Sequence, residues 1–250
     1  ESEEKVMILK KPDSLTYPGS SFCPGCAHGI SDRIIAESVE AFGMREKFIP
    51  TVDVACGAWS MDIWDFDTVM CAHGRPIAVA AGIKRARPDA LVAAYLGDGA
   101  AYSIGTAETV HCALRNENIV AIVLNNGVFG MTGGQMAPTT LPGQKTASSL
   151  KGRDPKTQGG VFDITKTIGY MDIAYLARAA LDSPAGVIKA QQYIQKAFEK
   201  QLRGEGFCLV ELLGACPTNW NLSPAAACER IRSESLKYYE LGEFIDKKEK

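Results

Sequence analysis

Histidine is scarce in this 250-residue sequence: there are three, and no two stand close enough along the chain to form the paired ligands of a zinc motif. No serine sits in a Gly-x-Ser-x-Gly turn, so a hydrolytic triad has no support. A surplus of one charge is also missing. Lys and Arg number 27 against 29 Asp and Glu, a net −2, which argues against nucleic-acid and polybasic membrane partners. Long apolar runs are absent too: the stretch from Ile77 to Ile83, interrupted by Gly82, falls far short of the ~20 residues that span a bilayer. The opening stretch, ESEEKVMILKKP, lacks the apolar core of a secretory signal. The expected location is therefore the cytoplasm, where thiols stay reduced and a disulfide framework is not expected.

What remains is an ordinary globular composition, 46% hydrophobic, with 24 glycines and eight cysteines. The length suits one domain, taken as residues 1–250. Short apolar runs alternate with helical periods. Helices are expected at 28–43, 75–87, 103–115, 162–169 and 185–202, and strands at 48–55, 91–96, 119–124, 171–174 and 207–213. Residues 224–250 read as a helix leading into a charged tail. Continuous apolar strands separated by helices imply an α/β fold, a parallel sheet with helices on both faces. Residues 127–160, rich in Gly, Thr, Pro, Ser and Lys, read as a long functional loop.

The strand at 91–96 runs into Gly97-Asp98-Gly99-Ala100-Ala101 before a helix. Such a turn presents free N–H groups and a helix dipole to a phosphate. The dinucleotide pattern Gly-x-Gly-x-x-Gly fails, because Tyr102 occupies its third position. Asp98 would repel a bare pyrophosphate, and a divalent cation between them removes that objection. Asn126 lies 28 positions on, one helix and one strand later, which puts it at the end of a neighbouring parallel strand. A carboxylate, an amide oxygen and a turn carbonyl suit Mg²⁺. Gly-Asp-Gly and Asn-Asn-Gly each read alone as a tight turn; together at this spacing they point to a metal-bridged diphosphate.

These motifs, Gly97-Asp98-Gly99 and Asn125-Asn126, resemble the thiamine-diphosphate fingerprint of transketolase- and decarboxylase-type enzymes. The runs from Asn125 to Gln135 and from Pro138 to Thr146 are similar to a narrower family, the thiamine-binding β subunits of 2-oxoacid:ferredoxin oxidoreductases. The resemblance extends from about Cys23 to Thr218. It implies Asp98, Asn126 and the Val128 carbonyl as Mg²⁺ ligands. Gly97, Gly99, Ala100 and Thr132 would line the diphosphate, and His73, in His73-Gly74-Arg75, would pass beside the cofactor ring. A loop-stabilising role for His73 stands equally open. His28 reads as a helix-start residue, and His111 needs no functional reading.

Cys23-Pro24-Gly25-Cys26 is a Cys-x2-Cys hook, which alone fits half a zinc knuckle or a redox pair. The resemblance implies a [4Fe-4S] cluster held by Cys23, Cys26, Cys56 and Cys216. Cys71 is a rival to Cys56, because Cys56-Gly57-Ala58-Trp59 departs from the family's usual Ile-Gly-Cys-Ser. Cys71, Cys112, Cys208 and Cys228 read otherwise as buried packing residues, and a structural Zn²⁺ on four thiolates is the alternative for the ligand set.

The reaction implied is oxidative decarboxylation of a 2-oxo acid with coenzyme A, giving acyl-CoA, CO₂ and reduced ferredoxin. The alternative is a non-redox thiamine decarboxylase or transferase subunit with structural zinc. The glutamate that activates thiamine has no match here; Glu108 falls in the helix after the diphosphate turn. The resemblance therefore implies an α subunit that supplies it together with part of the substrate site, and admits γ and ferredoxin-like δ chains. Cys-Pro-Thr-Asn-Trp-Asn inclines the substrate toward branched-chain or 2-oxoglutarate types, with pyruvate and aryl 2-oxo acids still open.

Overall fold

The structure is a computed structural model that describes residues 10–16 and 20–247. Most of the opening stretch and the end of the charged tail lie outside the described residues. The chain runs α1 (Ala27–Ala41), β1 (Phe48–Asp53), β2 (Val69–Cys71), α2 (Pro76–Ala86), β3 (Leu91–Gly97), α3 (Thr106–Leu114) and β4 (Val120–Asn125). A small hairpin follows, β5 (Val128–Phe129) with β6 (Gln135–Met136). Then come α4 (Pro155–Gln158), α5 (Ile164–Ile168), β7 (Tyr175–Ala180), α6 (Pro184–Leu202), β8 (Cys208–Leu213), α7 (Pro217–Trp220), α8 (Pro224–Ser233) and β9 (Gly242–Asp246).

Seven strands form one sheet in the order β2-β1-β3-β4-β8-β7-β9, parallel throughout except where β9 pairs antiparallel with β7. Successive residues of β4 serve opposite faces. Val120, Ile122 and Leu124 pack under α1 and α6 with Ile34, Ile35, Ile194 and Phe198. Ala121 and Val123 pack on the other side with Ile77, Ala80 and Cys112 of α2 and α3 and Ile164 of α5. This double burial is why the central strands read as unbroken apolar runs rather than alternating ones.

Three elements differ from the sequence reading. The strand expected at 171–174 lies at Tyr175–Ala180 instead, with all six residues buried. Its Ala-Arg-Ala-Ala end is poor in β-branched residues and carries a charge, so it does not read as a strand. Arg178 is nonetheless only 1% exposed: it is ion-paired to Glu211 on β8 and lies 2.6 Å from Asp163. The short strand β2 has no counterpart in that reading. The segment from 224 ends its helix at Ser233 and returns as β9, whose half-exposed register carries Glu243 and Asp246, each 2.6 Å from Lys196. A charged edge strand lacks the apolar alternation by which strands are read.

The buried Arg178–Glu211 pair supports the site as well as the sheet, because Glu211 Oε1 accepts from Asn125 Nδ2 at 3.0 Å. Arg178→Met strands the Glu211 charge in the core. The expected cost is about 3–5 kcal/mol of unfolding free energy, measured by urea denaturation of the parent and the variant.

Candidate cofactor and cluster site

Parallel pairing aligns Gly97 of β3 with Leu124 of β4, so both strands end at one level. Asp98 and Asn126 leave the sheet side by side there and line one cleft together with Gly97, Gly99, Ala100, Val128 and His73. Asp98 is buried. Its Oδ2 accepts from the Gly127 N–H at 3.0 Å and from the Thr139 hydroxyl, whereas its Oδ1, equally buried, has no hydrogen-bond partner among the described residues. A buried carboxylate oxygen left unpaired is costly unless a cation or donor completes it. Asn126 Oδ1 caps the same turn, accepting from Val128 N–H at 3.1 Å.

Burial pushes the Asp98 carboxyl up to about 7, against hydrogen bonds from Thr139, Gly99 and Gly127 that favour the anion, and the Glu211 charge raises it further. A metal takes only the ionised form. Mg²⁺ affinity is therefore expected to be level above about pH 8 and to fall roughly tenfold per pH unit below 7, as read by calorimetric titration between pH 5.5 and 8.5. The proton has the opposite effect on the apo fold. With its folded value above the unfolded one, Asp98 removes stability as pH rises through 7, and a bound cation restores it.

His73 stands on the opposite wall. Its Nδ1 contacts the carboxylate of fully buried Asp53, at the end of β1, whose other oxygen accepts from Gly74 N–H at 2.7 Å. Gly74 has φ +73°, and a Cβ on it would lie 2.7 Å from the Gly105 nitrogen, so a side chain there would drive this loop off the turn before α3. Gly99 approaches Phe129 as closely: a Cβ would sit 2.5 Å from its ring. Glu108 lies in α3 as the sequence implies and pairs with Arg75 at 3.0 Å, outside the cleft lining. Thr132 sits exposed in the β5–β6 turn with its hydroxyl on Gln135 Oε1 at 2.6 Å, away from the cleft, whose nearest loop residue is Met131. His28, read as a helix-start residue, lines the cleft and bonds to Tyr95 at 2.6 Å; burial pushes its pKa down to about 3, so it is neutral.

The four thiols of the ligand set arrive from three places. Cys26 caps the start of α1 and closes a turn on Cys23, and the next residue, Ala27, donates to Ala215 at 3.3 Å, beside Cys216. Cys56 follows β1 and Cys216 follows β8. A Cβ at Gly130 of the cofactor loop would lie 3.2 Å from Cys56 Sγ and 3.9 Å from Cys216 Sγ. Burial pushes the Cys26 thiol up to about 12, with Cys216, Cys56 and Cys23 adding to the rise; burial raises Cys56 to about 11, reinforced by Cys216 and Cys23. Among the described residues, no three His, Cys, Asp or Glu side chains close around a single ion.

Cys71 stands elsewhere. It ends β2 in register with Asp53, and its thiol is raised by burial and then by that carboxylate, not by the other thiols. Cys112 and Cys208 are buried within α3 and β8, and Cys228 is half-buried in α8.

Residues 58–212 match the family model for the thiamine pyrophosphate enzymes' C-terminal TPP-binding domain. The 2-oxoglutarate synthase subunit KorB of Archaeoglobus fulgidus is 34% identical over 84% of this chain and 75% of its own length. The chain belongs to the thiamine-diphosphate-binding subunits of the 2-oxoacid:ferredoxin oxidoreductases. The ketoisovalerate oxidoreductase subunit VorA of Methanothermobacter thermautotrophicus is 35% identical over 96% of this chain but only 53% of the relative. The chain thus spans about half the length of the curated VorA relatives it matches. In fold it is similar to a 2-oxoglutarate:ferredoxin oxidoreductase from Magnetococcus marinus, with a TM-score of 0.77, 23% identity, and coverage of 99% of this chain and 88% of that one. Among the described residues, no helix is long and apolar enough to cross a membrane.

Several supporting residues have no signature in the sequence. Thr139 reaches Asp98 from 41 positions away, Asp53 reaches His73 across 20, and Glu211 reaches Asn125 across 86. The one usable signal was Thr139-Thr140 inside the Pro138–Thr146 run.

Proposed function

We propose that this subunit binds thiamine diphosphate through Mg²⁺, holds a [4Fe-4S] cluster on Cys23, Cys26, Cys56 and Cys216, and works with an α subunit in the coenzyme A-dependent oxidation of a 2-oxo acid by ferredoxin. The observation that carries this reading is that both donor sets reach one cleft. Asp98, with its unpaired Oδ1, lines that cleft with Asn126 and Val128, and Cys56 lines it too, lying with Cys216 against Gly130.

When bound, thiamine diphosphate supplies the electron sink for decarboxylation, and the cluster accepts electrons singly. The chain's own residues do the holding. Asp98, Asn126 and the Val128 carbonyl would ligate Mg²⁺, and the Gly97–Ala100 turn would face the diphosphate. Thr132 would join it only if the hairpin turn folded inward. Asp53 fixes His73 through Nδ1 and leaves Nε2 as the nitrogen able to take or return a proton in the cleft. Asp53→Asn is expected to lower kcat on the order of 100-fold while thiamine diphosphate affinity and KM change little, measured by steady-state kinetics of the complex.

Among the described residues, the cleft lining of His28, His73, Cys56, Asp98 and their neighbours includes no glutamate. This supports the need for a partner that supplies the activating carboxylate. The VorA and KorB relatives are likewise named as subunits. The test is turnover with pyruvate, 2-oxoglutarate, a branched-chain and an aryl 2-oxo acid, with ferredoxin as acceptor, for the isolated chain and for the complex. Turnover by the complex alone supports the reading; turnover by the isolated chain overturns the shared site.

A further inference from the structure

We propose that Asn219 is a positioning residue that ties the cluster to the cofactor loop and sets the cluster's reduction potential through Cys216. The proposal rests on the cluster reading above. Asn219 lies in α7, three residues after Cys216, and its amide nitrogen has two hydrogens to donate. Both have acceptors: the Gly130 carbonyl at 3.0 Å and the Cys216 sulfur at 3.3 Å. Gly130 is the residue whose backbone runs beside both Cys56 and Cys216, and Gly134, at the far end of the same loop, lies against Asn219; a Cβ there would fall 2.8 Å from Asn219 Oδ1. One side chain therefore touches a cluster thiol and both ends of the loop that follows the metal turn.

The next residue extends the link. Trp220 Nε1 donates to the Asn126 carbonyl at 3.1 Å, and its ring is held under the Arg230 guanidinium at 4.5 Å. The α7 turn thus spans from Cys216 to the backbone of a proposed Mg²⁺ ligand. An N–H donor to a ligating thiolate favours the reduced, more negative cluster and so raises its potential.

The experiment uses the complete complex, purified anaerobically, with Asn219→Leu and Asn219→Asp. Three quantities are read: iron and acid-labile sulfide, the midpoint potential from an EPR-monitored redox titration, and the thiamine diphosphate dissociation constant. With iron and sulfide at the parent level, Asn219→Leu is expected to shift the potential negative, and Asn219→Asp, which keeps the shape but adds charge, to shift it further. Both should weaken thiamine diphosphate binding about tenfold. An unchanged potential at full iron content overturns the proposal. So does loss of the cluster in both variants, which would make Asn219 a retention residue rather than a tuning one. A parent complex without sulfide defeats the cluster reading itself, a result distinct from either.

Discussion

Asp98→Ala is expected to abolish thiamine diphosphate binding and to leave the proposed cluster in place. The carboxylate performs two tasks on its two oxygens. Oδ2 pins Gly127 N–H and the Thr139 hydroxyl, which fixes the turn carrying Asn126 and Val128, and the buried Oδ1 has no hydrogen-bond partner among the described residues. Alanine removes the anion that a cation needs and loosens the turn that positions the other two ligands. The dissociation constant for thiamine diphosphate with Mg²⁺ is expected to rise by about 100-fold or more, measured by calorimetric titration. Iron and sulfide content should match the parent, since the Asp98 carboxylate bonds to Gly127 and Thr139 rather than to a cysteine of the set. Asp98→Asn separates the tasks: it keeps the shape, loses the charge, and should also fail to bind. Because burial raises the Asp98 pKa to about 7, the apo Asp98→Asn protein is expected to be more stable than the parent at pH 8. Parent-like affinity in Asp98→Ala would refute the metal assignment.

The second large effect concerns the thiols. Cys56→Ala and Cys216→Ala are each expected to lower iron and sulfide from about four per chain to near zero, because both thiols lie against Gly130. Cys71→Ala is the discriminating control. Cys71 sits in register with Asp53 on the far side of β1, and its surroundings are a carboxylate rather than the other thiols. The variant should keep full iron and sulfide. A cluster retained in Cys56→Ala and lost in Cys71→Ala would exchange their roles. Cys112→Ala and Cys208→Ala should act on stability alone, since both are fully enclosed in α3 and β8.

The core of this fold was legible because its central strands are buried on both faces and so declare themselves as apolar runs of strand length: Leu91–Gly97, Val120–Asn125 and Cys208–Leu213 fall within a residue or two of their expected places. The two polar motifs at the ends of β3 and β4 were legible for the same reason, since adjacent parallel strands carry their following turns to one edge. Strands that depend on tertiary partners were not. Tyr175–Ala180 is a strand because Arg178 finds Glu211 and Asp163 across the sheet, and Gly242–Asp246 because Lys196 meets its acidic residues. The site follows the same division. Ligand types at close spacing could be read, whereas the groups that orient them (Thr139, Asp53, Glu211 and Asn219) arrive from distant segments as ordinary polar residues.

Iron, zinc and acid-labile sulfide analysis of the anaerobically purified protein decides whether four of the eight cysteines serve an electron-carrying cluster beside the thiamine site. About four iron and four sulfide per chain are expected. One zinc per chain with no sulfide would rule the cluster out.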